Sequence, residues 1–114
     1  MALSSVIGAD AALAQVNLAG PLTLTGAYSL TLDNVNQNLV AIDPGGAGRN
    51  VTLWPEAKTH GMICLIVNLA DAAETITLKD GAGSTVGTIA QNKAAYVANI
   101  GGTWAKICDF TVAV

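Results

Sequence analysis

The sequence predicts an all-β fold: a single compact β-sandwich or barrel, jelly-roll- or tulip-like, of about eight short strands with an extended N-terminal arm. Two observations lead to this prediction. After residue 20, apolar and polar residues alternate with period two over most of the chain, which is typical of half-buried strands. Glycine, proline, asparagine or aspartate separates these runs at regular spacing, which favours a sandwich or barrel over alternating strand and helix units.

The first twenty residues differ from the rest because they are rich in alanine and their apolar residues are irregularly spaced. These apolar residues do not form a stripe at helical period, so we predict an extended arm over residues 1–20 and a β domain over residues 21–114. A short helix beginning at Asp10 is the alternative. The arm residues that we expect to bind a partner are Leu3, Val6, Ile7, Leu13, Val16 and Leu18.

The strands begin with "PLTLTGAYSLTLDN" at residues 21–34, where apolar residues alternate on either side of Gly26 up to Leu32. The runs that follow are NLVAI, NVTLW, GMICLIVNL, ETITLKD, STVGTIA, AAYVANI and TWAKICDF. Within the third of these, Met62 to Val67 is apolar at every position. Such a strand is either covered on both faces or lies at a subunit interface.

The glycine cluster of "IDPGGAGRNVTLWP", residues 42–55, is close to the calcium-binding nonapeptide G-G-x-G-x-D-x-U-x. The chain has one copy, however, and Asn50 stands where the metal-binding aspartate belongs. We therefore predict a Pro-Gly-Gly turn, in which glycine adopts positive φ angles. Neither this cluster nor "KDGAGST" has the Gly-Lys-Ser/Thr of a phosphate loop, and Asp80-Gly81 predicts a hairpin turn.

Charged residues are scarce, and this scarcity indicates protein partners. They make up 11% of the chain, against 52% hydrophobic residues, whereas ordinary soluble domains carry about 25%. We therefore expect much of the surface to face other copies of the chain. The net charge is −3 and the five cations are scattered singly, which excludes the basic stripe that nucleic-acid binding requires.

Catalytic and metal sites are not predicted. His60 is the only histidine, and its pairing with Cys64 lacks an orienting third group and an oxyanion hole. His60, Cys64 and Cys108 together would give a metal three ligands, one fewer than a structural site needs, and the sequence has no Cys-x-x-Cys pair. The carboxylates lie mostly at turns, where they serve backbone geometry. We expect no enzymatic activity and no cofactor.

The two tryptophans have two interpretations. Trp54 closes one strand and Trp104 opens another, so both could plug the ends of the core or contact another subunit. Exposed indoles would instead stack on a carbohydrate. We favour core or subunit interface, and the full set assigned to that role is Trp54, Met62, Cys64, Ile66 and Trp104.

Membrane insertion and secretion are not expected. The charge-free stretch 11–32 contains Gln15, Asn17 and Pro21, which a lipid-facing helix would not carry at this density. The N-terminus lacks the basic region and continuous apolar block of a secretory signal. We therefore expect synthesis in the cytoplasm and reduced cysteines.

The order of motifs between Leu39 and Ile107 resembles the small all-β structural proteins of tailed bacteriophage virions. The resemblance lies in a Gly-rich turn leading to an apolar strand, a glycine with a hydrophobic run ending in Asn68, then "ITLKDG" and a closing "GGTWAKI". Such modules serve as head decoration (cement) proteins, and related ones occur in spikes and fibres.

The resemblance implies a virion structural protein that decorates and stabilises the head as a homotrimer, standing on the capsid surface. Its partners would be other copies of itself and the major capsid protein, and the N-terminal arm would lie along the shell or a neighbouring subunit. The alternative is a receptor- or carbohydrate-binding tip of a tail fibre or spike, and a small hydrolase is a third hypothesis.

Overall fold

The computed structural model describes residues 18–112, which form nine strands and one short 3-10 helix, Glu56–Lys58. The strands are β1 Leu18–Thr23, β2 Tyr28–Ser29, β3 Leu39–Asp43, β4 Arg49–Thr52, β5 Ile63–Asn68, β6 Ile76–Lys79, β7 Thr85–Ile89, β8 Lys93–Ile100 and β9 Thr103–Thr111. The all-β prediction is confirmed. Because β1 begins at Leu18, the sheet includes the last three residues of the segment that the sequence assigned to the arm.

The strands form two sheets that share one core. The larger sheet has the order β1-β3-β5-β8-β9, and the smaller has the order β2-β4-β6-β7. From β1 to β6 the chain alternates between the sheets, so that β1, β3 and β5 run parallel, as do β2, β4 and β6. These six strands therefore make three stacked coils of a flattened β-solenoid.

The last part of the chain reverses direction. Strand β7 pairs antiparallel with β6, β8 with β5, and β9 with β8. The parallel pairs distinguish this connectivity from a jelly-roll, which is built from antiparallel strands. A half-buried strand shows the same alternation whether its neighbour is parallel or antiparallel, so the sequence pattern predicts strands without their directions.

Alternation along each strand places one row of side chains between the sheets. On β5, Cys64, Ile66 and Asn68 are buried, whereas Ile63 is exposed and Leu65 is half-buried. Among residues 18–112, the uniformly apolar run 62–67 is thus packed into the core on one face alone. The fully buried large side chains of the core are Leu30, Val35, Val40, Ile42, Val51, Leu53, Trp54, Ile66, Ile76, Leu78, Ile89 and Val97.

One part of the first alternating run does not form a strand. The Thr31 amide donates to Asn34 Oδ1 at 2.8 Å, and the Asn34 amide donates to Thr31 Oγ1 at 3.2 Å. These reciprocal bonds close a turn after β2. Leu32 lies in this turn and is 41% exposed. The period-two pattern predicted Leu32 on the buried face of a strand, and this was wrong because the Thr–Asn pair ends the run first.

The glycine cluster turns the chain between β3 and β4, as predicted. Gly45 and Gly46 have φ angles of 77° and 111°, which favour glycine. A Cβ atom at Gly45 would also collide with the Leu24 carbonyl oxygen of the preceding coil. Asp43 Oδ1 accepts the Gly45 amide at 3.0 Å, which secures the turn. The predicted hairpin at Asp80 is also present, joining β6 to antiparallel β7.

Two buried asparagines hold the corners of the fold. Asn68 donates to the carbonyls of Glu74 and Ile89 at 2.8 and 2.9 Å, and its Oδ1 accepts the Ala70 amide at 2.9 Å. Asn99 binds the 3-10 segment through Glu56 and Thr59, and accepts the Gly102 amide. Each side chain satisfies backbone groups that would otherwise lose their hydrogen bonds beside the core.

The role of Asn68 can be tested by Asn68→Asp, which keeps the shape but removes both donated hydrogen bonds and buries a carboxylate. We expect the free energy of unfolding to fall by about 3 kcal/mol or more, because two carbonyls lose their partner. Urea denaturation at pH 7 measures this change. The control Asn36→Asp, at an exposed position, should change stability by less than about 0.5 kcal/mol. If the two substitutions lowered stability equally, the hydrogen bonds of Asn68 would not be what holds this corner of the fold.

Candidate interaction surface

Both tryptophans lie in the core at the same end of the sandwich. Trp54 is fully buried and Trp104 is 5% exposed, and their rings are tilted with centroids 6.0 Å apart. The Trp104 indole donates to the Trp54 carbonyl at 2.8 Å, and the Trp54 indole donates to the Val35 carbonyl. Neither ring is therefore accessible for stacking on a carbohydrate, which was the basis of the alternative function.

The other residues assigned to core or interface also pack inside the protomer. Cys64 and Ile66 are buried, and Met62 is half-buried against the core. Burial raises the pKa of the Cys64 thiol from 9.0 to about 12, because the thiolate would lose its hydration. His60, by contrast, is exposed. An exposed imidazole and a buried, protonated thiol do not form a nucleophilic pair.

The raised pKa of Cys64 makes stability depend on alkaline pH. Its contribution is fully present below pH 9 and is lost as pH rises from 9 toward 12, because the unfolded chain releases the thiol proton first. We expect the stability advantage of the wild type over Cys64→Ala to shrink by about 1 kcal/mol per pH unit in this range. The difference in stability between the wild type and Cys64→Ala is measured by urea unfolding under reducing conditions at several pH values.

Cys108→Ala serves as the matched control for this measurement, since it removes the exposed cysteine and keeps Cys64. This variant should lose stability with pH as the wild type does. If Cys64→Ala also follows the wild type, the buried thiol does not cause the alkaline loss.

The predicted arm residues Leu3, Val6, Ile7, Leu13 and Val16 lie outside the described residues. The sixth, Leu18, is the first residue of β1, where its backbone pairs with Leu39 of β3. Among the described strands, β1 is one of the two edge strands of the larger sheet, and β9 is the other. The arm therefore joins the β domain at a sheet edge.

Three carboxylates converge where two corners of the solenoid stack. Oxygen atoms of Asp43, Asp71 and Glu74 lie within 4.8 Å of one another. Carboxylate oxygens are ligands for hard divalent cations, so these residues are the metal-ligand candidates among residues 18–112. Asp43 already accepts a turn hydrogen bond from Gly45, and Asp71 is exposed. Clusters of this kind are common at acidic turns, and we assign no metal to this one.

The outer face of the larger sheet presents the most distinctive surface of the described residues. Strands β5, β8 and β9 lie side by side, and their outward residues align in rows across the sheet. The first row is Ile63, Ala98 and Ala105; the second is Leu65, Tyr96 and Cys108; the third is Val67, Ala94 and Phe110. We call these nine residues, together with Ile100 at the end of β8, the apolar face.

The large side chains of the apolar face are exposed to an unusual degree, whereas its small residues Ala94 and Ala98 are buried. Ile63 and Ile100 are 58% and 62% exposed, and the aromatic residues Tyr96 and Phe110 are 40% exposed each. Tyr96 and Phe110 contact each other, with ring centroids 5.8 Å apart. No residue of the face is charged. A contiguous patch of this kind usually marks a contact with another protein or an apolar ligand.

The smaller sheet provides an internal comparison. Its outward rows are polar: Asn50 aligns with Thr77 and Thr88, and Thr52 aligns with Lys79 and Thr85. This is the ordinary composition of a strand face in contact with water. The same chain thus builds one sheet face suited to solvent and one that is not.

The charged residues of β9 lie away from the apolar face. Lys106 and Asp109 pair with Val97 and Ala95, which are inward residues of β8. Lys106 Nζ lies 2.8 Å from Asp109 Oδ2, and this hydrogen bond lowers the pKa of the Asp109 carboxyl. An extra residue, Ile107, interrupts the pairing between β8 and β9, and its side chain is exposed.

Comparison with known proteins finds no matching family model, no matching curated sequence and no matching solved structure. None of the helices within residues 18–112 has the length and apolar character needed to cross a membrane. The physical character of the site therefore carries the functional argument.

The scarcity of charge predicts partner surfaces but does not locate the apolar face. The sequence does contain a signal for this face. In the segments that form β5, β8 and β9, residues of the core alternate with isoleucines and aromatic residues, which must then lie on the opposite side of the sheet. In β8 the buried residues Ala95 and Val97 alternate with Tyr96. Finding the face also required knowing that β5, β8 and β9 are neighbours, and this is a property of the topology.

Proposed function

We propose that this chain is a non-enzymatic structural protein of a bacteriophage virion, which decorates and stabilises the capsid as a homo-oligomer. The segment from Leu39 to Ile107 resembles small all-β phage virion proteins, and this resemblance implies that the oligomer is a trimer. The protein would be made in the host cytoplasm and then stand on the capsid surface. Its partners would be other copies of itself and the major capsid protein.

The exposed apolar face carries this proposal. A protein whose task is chemistry on a small molecule concentrates polar and titratable groups in a concave site. The distinctive surface here is instead a sheet face without charge, with Ile63, Ile100 and two aromatic residues open to contact. Such a face suits association with protein. A decoration protein that acts as a homo-oligomer requires this kind of association between its own copies.

The arm supplies the second contact of the proposed mechanism. Its apolar residues Leu3, Val6, Ile7, Leu13, Val16 and Leu18 would bury against the shell. Each fully buried aliphatic side chain contributes about 1.5 to 3 kcal/mol, from which the cost of ordering the arm must be subtracted. An oligomer that presents several arms would add avidity, because the second and third arms bind at high effective concentration.

A truncation before the described residues tests the role of the arm. Deletion of residues 1–17 keeps every described residue of β1, Leu18–Thr23, so we expect a folded oligomer. Its binding to heads that lack the protein should weaken at least 100-fold, because the arm contacts are gone. Co-sedimentation with purified heads measures the binding, and circular dichroism checks the fold.

A full-length variant with Leu13→Asp and Val16→Asp controls for the change in length, and should show the same loss. If the truncated protein still decorates heads at the wild-type affinity, the arm is not the anchor. If the wild-type protein does not bind heads, the proposed decoration function is wrong.

A further inference from the structure

We infer that the apolar face is covered by a second copy of this chain, so that Ile63, Tyr96, Ile100 and Phe110 form the centre of a subunit interface. The inference deepens the proposed function, since it names the surface through which the proposed oligomer assembles. The shell would then be bound elsewhere.

Charge favours a copy of the same chain as the occupant. The protein carries a net charge of −3, so two copies repel each other wherever their carboxylates approach. The residues of the apolar face are uncharged, and the nearby carboxylate of Asp109 belongs to an inward row of β9 and is held by Lys106. This face therefore allows two acidic copies to meet at low electrostatic cost. A different protein recognised through complementary charge would find no charged group here.

The shape expected for the apolar face suits contact with the same face of another copy. Tyr96 and Phe110 are the two aromatic residues of the face and contact each other, so we expect them to stand out as a ridge. In the neighbouring row the small residues Ala98 and Ala105 are register partners, so we expect a shallow depression there. Ala98 is 8% exposed. Because one surface carries both a ridge and a depression, the ridge of one copy can lie against the depression of the next.

The area is sufficient for an interface. Four of the six large hydrophobic side chains that are exposed among residues 18–112 belong to the apolar face: Ile63, Tyr96, Ile100 and Phe110. At 150–250 Å² for a whole aromatic side chain and somewhat less for isoleucine, these four together expose on the order of 400 Å². Two such faces would bury about 800 Å² from these side chains, and the exposed Cys108 with the half-buried Leu65 and Val67 raises the area to about 1,000 Å², near the lower limit for a specific interface.

Association through the face is more favourable than pairing along the edge of β9. The extra residue Ile107 breaks the regular pairing of this strand, and Lys106 and Asp109 are charged residues of its inward row. Bulges and inward charges are the devices by which sheets prevent pairing at their edges. The face next to this edge lacks any such protection.

The test compares the mass of the wild-type protein with that of Ile63→Asp/Tyr96→Asp by analytical ultracentrifugation between about 1 and 100 μM. We expect the wild type to be oligomeric, and the dissociation constant of the variant to rise at least 100-fold, because carboxylates would face one another in an apolar interface. Both residues are exposed in the protomer, so the variant should keep its fold, which circular dichroism and urea unfolding check.

Leu32→Asp is the matched control, since it places a carboxylate on an exposed leucine that lies in the turn after β2, off the apolar face. This variant should remain oligomeric. A wild-type protein that is monomeric at 100 μM, or equal dissociation of the control and the face variant, would overturn the inference.

Cys108 gives a second readout without any substitution. It lies in the same row as Tyr96 and is exposed in the protomer. Its reaction with a thiol reagent should slow as the wild-type concentration rises, and should stay fast in Ile63→Asp/Tyr96→Asp. A rate that does not depend on concentration in an oligomeric wild type would show that another surface joins the copies.

Binding to heads separates the two proposals. An oligomer that dissociates on Ile63→Asp/Tyr96→Asp but never binds heads supports this inference and contradicts decoration. A monomeric wild type that binds heads, and loses this binding when the face is changed, assigns the face to the shell and overturns self-association.

Discussion

Every crossing from one sheet to the other brings backbone amides and carbonyls to the margin of an apolar core, and the fold depends on satisfying them there. Asn68 and Asn99 each make three hydrogen bonds at such corners. The indoles of Trp54 and Trp104 satisfy two more carbonyls. Because these polar groups are paired, short strands of two to nine residues can stack without leaving gaps through which water reaches the core.

The corners also explain why the chain has two unlike halves. Up to β6, each corner passes the chain to the opposite sheet and a new parallel coil is added. The Asp80 turn is a hairpin instead, and it keeps β7 in the same sheet as β6. The chain then crosses once more and folds β8 and β9 antiparallel beside β5. This second half produces a wide sheet face that no other described element of the chain covers.

The apolar face on β5, β8 and β9 links the fold to the proposed function. In the smaller sheet the outward rows consist of threonine, asparagine and lysine, whereas in the larger sheet they consist of isoleucine, alanine and aromatic residues. Both sheets share a core of similar character, so the difference does not come from the stability of the protomer. We propose that it reflects what each outer face meets, which for the larger sheet is a copy of the same chain.

The sequence by itself determined the all-β class, the strand segments from residue 39 onward and the turns at Gly45 and Asp80, because alternation and turn chemistry act over a few neighbouring residues. It failed at Leu32, where a Thr–Asn turn ended the run early. Only the tertiary structure decided strand direction, the burial of both tryptophans and the exposure of Ile63. These depend on which strands become neighbours, and pairing between residues far apart in the chain leaves no local trace in a period-two pattern.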